Sequence, residues 1–462
     1  MRTRFIPILL GVLFLHSISV ATANDEPLPR RAVLGLAFSP VPPSYAKTHK
    51  LDEGVGILAT DVVPEKTAAS AGIQKDDIII ALDGKPLLFK DTPSRVRELI
   101  AGKQFTVSVI RKDEKLELTG TVTEKTRDPG NANYEVLYQH ITSNGQRMRT
   151  IITRPRKAGK YPGFMFIQGF SPVSYDFTLE GSKGDVTTLN GPLLYEFANS
   201  NFVTIRVEKP GVGDSEGGPF ADLDFTTEID IYRQALKQLK EMPEVDTNNV
   251  FIFGHSMGGA FGPIIASENP VRGIAVYGAA SRTWYEYLLD TLRYQGLVAG
   301  DNYENTDERV RLGSRALALV FLENKSPEEV NKSHPELKPL IDALFPNGQF
   351  NGKSLEFWRQ LGQENMPSYW TQCNAHVLAV RGASDFVTYD VDHKLIADIV
   401  NREKPDTARS LTLPDSDHLF HKHATEPDSM KAMQKGEYNL AFATLMKAWI
   451  QEVMDKTSKK GS

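Results

Sequence analysis

One stretch of this sequence has the residue types and spacing for nucleophilic chemistry: Gly254-His255-Ser256-Met257-Gly258-Gly259. It follows the apolar, β-branched run Val250–Phe253 and precedes a segment of small, helix-compatible residues. At a strand-to-helix turn, G-x-S-x-G lets glycines carry a sharp bend that lifts the serine hydroxyl above the strand ends. The helix behind it aims its N-terminal dipole at negative charge developing there. Such a serine attacks a carbonyl carbon when an imidazole takes its proton and a carboxylate orients the imidazole. Asp385 lies in the loop after the strand-like run His376–Val380, and His418 in the loop after Ser410–Leu413. Asp390 and Asp392 are fallback acids deeper in the next helix. His421 and His423 are fallback bases, read as solvated loop residues. An H-x-H pair without further ligands is weak ground for a metal site, so neither metal nor cofactor is expected.

Two regions must position these groups. From about Tyr134, apolar runs at Gly163–Ile167, Phe202–Val207, Val250–Phe253, Gly273–Tyr277, Val377–Val380 and Ser410–Leu413 alternate with helical segments such as Thr226–Glu241 and Asp392–Asn401. That alternation predicts an α/β fold, a largely parallel sheet covered on both faces. Ahead of it, Ala32 to about Thr126 reads as a small β-rich unit. Strands are expected at Gly54–Val63, Asp77–Leu82, Phe105–Ile110 and Leu116–Val122. A helix is expected over Pro93–Ala101, with Thr92 as N-cap and Val96, Leu99 and Ile100 inward. The polar Pro- and Gly-bearing stretch Arg127–Asn133 reads as a linker.

Composition sets the outer limits. The chain has 462 residues, 40% hydrophobic and 24% charged, which excludes a disordered or multi-span membrane protein. Its net charge of −5 with no long basic run gives no footprint for nucleic acid. One cysteine, Cys373, makes no intrachain disulfide. Arg2 and Arg4, the apolar run from Ile8 and Ala21-Thr22-Ala23 form a signal-peptide pattern, with cleavage expected after Ala23. The run is short of the ~20 apolar residues that span a bilayer, so no stable membrane span is expected after cleavage. Export places the protein in a bacterial periplasm or the extracellular medium.

The β-rich unit resembles a PDZ domain of the kind found in bacterial periplasmic proteases. The resemblance rests on Gly35-Leu36-Ala37-Phe38, similar to the GLGF carboxylate loop, and on "KTAASAGIQKDDIIIALDG". Asp76 stands where the family's glycine precedes its Asp. It implies that Gly35, Leu36, Ala37 and Phe38 receive the C-terminal peptide of a protein partner, added as a strand. A groove closed by the second domain is the alternative.

The larger region resembles the α/β-hydrolase superfamily, whose order of nucleophile, acid and base is met by Ser256, Asp385 and His418. The resemblance implies two oxyanion donors, the backbone N–H of Met257 and, in the Gln168-Gly169-Phe170 loop, that of Phe170. Gln168 replaces the superfamily's usual His. "VEKPGVGDSEG" (Val207–Gly217) resembles its glycine-rich turn after the fourth strand, and the glycines are expected to shape that loop. The expected organisation is a signal peptide at 1–23, a PDZ-like domain at 32–126, a linker at 127–133 and a catalytic domain at 134–456. An insertion at about 281–375, holding Trp284, Trp358 and Trp370, is expected to cap the active site. A small or medium acyl substrate follows, and a secreted carboxylic ester hydrolase is the leading reading. A prolyl-oligopeptidase-like serine peptidase and a non-catalytic PDZ adaptor are the alternatives.

Overall fold

The computed structural model describes residues 26–176, 178–179 and 186–458; the expected leader lies outside them. The first unit is a sheet in which Leu36–Pro40, Ile57–Val62, Ile78–Leu82, Gln104–Arg111 and Glu114–Thr121 follow one another antiparallel, with Lys85–Pro86 paired to the third. Its core is built from alternate residues such as Ala59, Phe105, Val107 and Val109. Lys112 and Asp113 take positive φ in the tight turn between the last two strands.

The structure departs from four local expectations. Gly54 and Gly56 have positive φ, so this strand starts at Ile57 instead of Gly54. The helix is Thr92–Arg97, one residue earlier and shorter than expected. Thr92 belongs to it and donates to the Leu88 carbonyl instead of capping, while Ile100 is 56% exposed. Asp76 sits at φ +71°, the left-handed backbone that explains a glycine in the family pattern.

The second unit is built on eight strands: β1 (Tyr134–Ser143), β2 (Gln146–Pro155), β3 (Tyr161–Ile167), β4 (Val203–Val207), β5 (Val245–His255), β6 (Gly273–Tyr277), β7 (His376–Gly382) and β8 (Ala408–Leu413). Their order across the sheet is 8-7-6-5-3-4-2-1. Strands β3 to β8 run parallel, and β1 and β2 pair antiparallel at one edge. Alternate side chains go to opposite faces. Phe164 and Phe166 face helices α1 (Gly191–Ala198) and α6 (Ala441–Ser458). Met165 and Ile167 face α2 (Phe225–Glu241), α3 (Gly258–Glu268) and α5 (Asp390–Glu403). Both faces are therefore covered, as the near-continuous apolar strands require.

Between β6 and β7 the chain forms a helical cap that begins with α4 (Trp284–Val298) and ends with Leu355–Gln363 and Met366–Gln372. The capping box of Thr283 and Glu286 starts α4. Trp358 and Trp370 are both buried, as is Cys373, whose thiol burial pushes up to about 11. No described helix is long and apolar enough to cross a membrane.

The two units are joined by buried charge. Arg30 is wedged between Asp176 and Asp214, and Arg149 also reaches Asp214 at 3.2 Å. Lys125 pairs with Asp176, and Arg97 donates to the carbonyls of Gly213 and Ser215.

Candidate active site

The turn at the end of β5 holds Ser256 at φ +54°. Both motif glycines are dictated by close approach. A Cβ on Gly254 would overlap the Gly258 backbone, and one on Gly258 would overlap the Ile167 carbonyl. Ser256 N–H donates to the Tyr277 carbonyl at 2.9 Å, which ties the serine to the end of β6.

Gly278, the residue after β6, meets Asp385 and His418, the expected acid and base. A Cβ there would lie 2.7 Å from His418 Nδ1 and 3.2 Å from Asp385 Oδ2, so only glycine leaves room for that pair. His418 Nδ1–H donates to Asp385 Oδ2 at 2.9 Å. Burial alone would raise the Asp385 carboxyl, but its contacts with His418 and Thr388 hold it well below the usual carboxylate range. The same carboxylate accepts from the backbone of Val387 and Thr388 and from the Thr388 hydroxyl. His255, beside the serine, donates from Nε2 to the His418 carbonyl at 2.8 Å. Burial first, then His418, lowers its imidazole to about 3, which keeps it neutral.

The alternatives go elsewhere. Asp392 caps the backbone at Ser281 and Arg282 and pairs with the Arg282 guanidinium; Asp390 takes the Thr412 hydroxyl. His421 and His423 are half-buried, not solvated as expected: His423 faces Asp417 at 3.4 Å and His421 packs edge-on to Tyr438. Among the described residues no cluster of His, Cys, Asp or Glu could hold a metal.

Ser256 and Met257 open into a cavity of about 190 Å³. Phe170, Trp284, Tyr287, Trp358 and Met366 give it aromatic and aliphatic walls, with Glu364 and Arg282 among its polar groups. Trp284 stacks on Trp358 at 4.7 Å. Trp284, Tyr287, Asn351 and Val387 also border a second cavity of about 630 Å³ under α4, and the Tyr287 hydroxyl donates to the Val387 carbonyl in that shared wall. Of the cap tryptophans, Trp284 and Trp358 therefore face the site, and Trp370 is core.

The Gln168-Gly169-Phe170 loop follows β3 and approaches Ser256: a Cβ on Gly169 would lie 3.1 Å from the serine Cβ. Sequence reasoning missed what stands behind this loop. Lys209, in the turn after β4, donates to its carbonyls, and Glu228 and Lys353 complete a buried cluster. The only signal was a Glu-Lys pair between the apolar β4 and a glycine turn; nothing marked Lys353.

The sequence profile described as "Alpha/beta hydrolase family" matches residues 166–427, and that of the PDZ domain matches residues 58–111. The serine endoprotease DegS of Escherichia coli K12 is 35% identical over 120 residues, 25% of this chain and 34% of that protein. Esterase EstD of Thermotoga maritima is 21% identical over 313 residues, 67% of this chain and 66% of its own. The chain thus spans about a third of the length of one relative and about two thirds of the other. Est1E from Butyrivibrio proteoclasticus superposes with a TM-score of 0.43 at 11% identity, over 69% of this chain and 99% of that one. With its profile matched over more than half of its length, the chain belongs to the alpha/beta hydrolase family and carries a PDZ domain ahead of the hydrolase region.

Proposed function

We propose that this protein is an exported serine hydrolase that cleaves carboxylic esters through an acyl-enzyme. The observation that carries the reading is the His418–Asp385 pair, 2.9 Å apart and packed against Gly278, one residue from the carbonyl that holds Ser256. In this mechanism His418 takes the proton of Ser256 as its hydroxyl attacks the ester carbonyl, and Asp385 fixes the imidazole tautomer and balances its charge. The N–H groups of Met257 and Phe170 receive the oxyanion. The alcohol leaves with the proton from His418, and water activated by the same imidazole releases the acid.

The cavity supports a bounded, uncharged acyl group with aromatic or aliphatic character. Its walls are Phe170, Trp284 and Trp358, and Arg282 is already paired with Asp290 and Asp392. The larger chamber beyond Tyr287 gives a longer substrate room to extend. One observation favours a peptidase as second reading. The Glu364 carboxylate is in the cavity wall and accepts only the Tyr369 hydroxyl among the described contacts, a setting that suits an amino terminus.

The proposed organisation is the leader at 1–23, the PDZ domain at 32–126, the linker at 127–133 and the hydrolase at 134–456 with its cap at 281–375. Leu36–Pro40 is an edge strand of its sheet, which supports addition of a partner's C-terminal peptide next to Gly35, Leu36, Ala37 and Phe38.

A fluorophosphonate should label Ser256, and Ser256→Ala should abolish both labelling and turnover of short aryl esters while keeping the wild-type circular dichroism. Turnover that survives in this variant would remove Ser256 as nucleophile. On matched aryl esters and aminoacyl anilides, kcat/KM should favour the esters; preference for anilides would select the peptidase reading.

A further inference from the structure

Three charged side chains lie buried behind the loop that carries Phe170. Lys209 Nζ donates to the carbonyl of Gly169 at 2.6 Å and of Phe170 at 3.0 Å. It also pairs with one oxygen of Glu228, on α2, at 2.6 Å. The other Glu228 oxygen accepts Lys353, from the cap, at 2.8 Å. No side chain of the three is more than 1% exposed. The Lys353 ammonium lies 3.7 Å from the centre of the Phe357 ring and 4.4 Å from that of Phe220.

Two features separate this cluster from a simple structural pair. First, the Gly169 carbonyl and the Phe170 N–H belong to one peptide unit, which is planar and trans. A cation that grips the oxygen sets the direction of the N–H on the opposite side and polarises it as a donor. Second, two ammoniums share the Glu228 carboxylate, with Asp224 the next acid to act on Lys353, so the three buried side chains themselves carry a surplus positive charge in a place where desolvation penalises it. A buried pair needed only for packing would carry one charge of each sign. Here the surplus stands behind the loop that faces Ser256, where negative charge would develop. The Gln168 side chain turns away from this peptide, donating to the Val207 carbonyl at 3.3 Å and meeting Tyr232, so among the described residues Lys209 is the charged group that grips the Gly169–Phe170 peptide.

We propose that Lys209 is a positioning residue for the oxyanion hole: it grips the Gly169–Phe170 peptide so that the Phe170 N–H faces the reacting carbonyl. Glu228 and Lys353 hold Lys209 in place and tie that grip to the cap. The inference rests on Ser256 being the nucleophile.

The test compares the full-length chain with Lys209→Met and Lys353→Met, each checked by circular dichroism and thermal melting. It reads kcat and KM for p-nitrophenyl butyrate, the rate of phosphonylation by a fluorophosphonate, and inhibition by an arylboronic acid. Lys209→Met still leaves Glu228 paired with Lys353. It should lose about 100-fold in kcat, as removal of an oxyanion donor does, with KM within roughly threefold. Phosphonylation and boronic-acid affinity should fall in parallel. Lys353→Met keeps the grip but loses the surplus charge, and should lose on the order of tenfold in kcat. A folded Lys209→Met protein with wild-type kcat, or one whose loss lies in KM alone, overturns the proposal. If Lys209→Met does not fold, an unchanged kcat in Lys353→Met overturns it. Wild type that fluorophosphonate does not label at Ser256 overturns the nucleophile reading and this inference with it; a labelled wild type beside an undiminished Lys209→Met overturns this inference alone.

Discussion

Ser256 keeps its backbone in a left-handed conformation, a strain of about 1–3 kcal/mol for a residue other than glycine. Neighbours hold it there: the Tyr277 carbonyl accepts its N–H, and the Ser256 carbonyl accepts the N–H of Gly259. At the same scale, the buried cluster gives a pH signature. Burial first, then Lys209, brings the Lys353 ammonium down to about 8, against the opposing pull of Glu228 and Asp224. The Leu223 carbonyl at 3.4 Å and the rings of Phe170, Phe220 and Phe357 also face it. The surplus positive charge is therefore present below pH 8 and lost as pH rises through it. The kcat of wild type should fall above about pH 8, and Lys353→Met should show no such limb in the same pH–rate profile. A limb that persists in the variant would belong to another group.

The element that matters most is the turn after β4, Glu208–Gly217. Its Lys209 grips the loop beside Ser256, while its neighbour Glu208 turns to the other side and accepts Ser174 and the backbone of Asp214. A Cβ on Gly213 would overlap the Glu208 carboxylate, so that glycine does shape the loop. Burial, then Asp176, raises the Glu208 carboxyl to about 7. Between its unfolded value and that pH, the folded chain holds a proton that the unfolded chain has released. Stability from this group is therefore present at acidic pH and lost as pH rises toward 7. Urea unfolding of Glu208→Gln should lack this loss, so that the variant gains on wild type between about pH 4.5 and 7 by up to a few kcal/mol. Equal pH slopes for the two proteins would mean that Glu208 is ionised throughout. The motif signalled the turn, but the opposite destinations of two adjacent charges depend on partners far along the chain.

In the whole molecule, the PDZ domain is not a loose appendage. Arg30, just ahead of the domain and bonded to the carbonyls of Lys125 and Thr126 at its end, has no exposed side-chain surface and balances Asp176 and Asp214 of the hydrolase region. Breaking a buried ion pair from one side leaves uncompensated charge and costs about 3–5 kcal/mol. Lys125 and Arg149 retain part of the pairing, so Arg30→Met should lower the unfolding free energy by about 3 kcal/mol in urea titration. A loss below about 1 kcal/mol would show that the joint is held by other contacts. The stretch Arg127–Asn133 has no regular structure. Even so it is pinned, because Asp128 N–H donates to Tyr138 and Asn131 bonds Asn199.

The sequence by itself determined the alternation of strands and helices, the elbow at Ser256, the loops of Asp385 and His418, and the two-part plan of the chain. These are local properties: period, turn residues and the order of motifs need only neighbours along the chain. Only the tertiary structure decided that Asp385, and neither Asp390 nor Asp392, meets His418. It alone decided which tryptophans face the cavity, and that Lys209, Glu228 and Lys353 meet behind Phe170. Those residues lie up to well over a hundred positions apart, and no local pattern marks a charge for burial. Their partnership arises when the sheet and its cap bring strand ends, helix and insertion into one low-dielectric space, where an ammonium must find an oxygen.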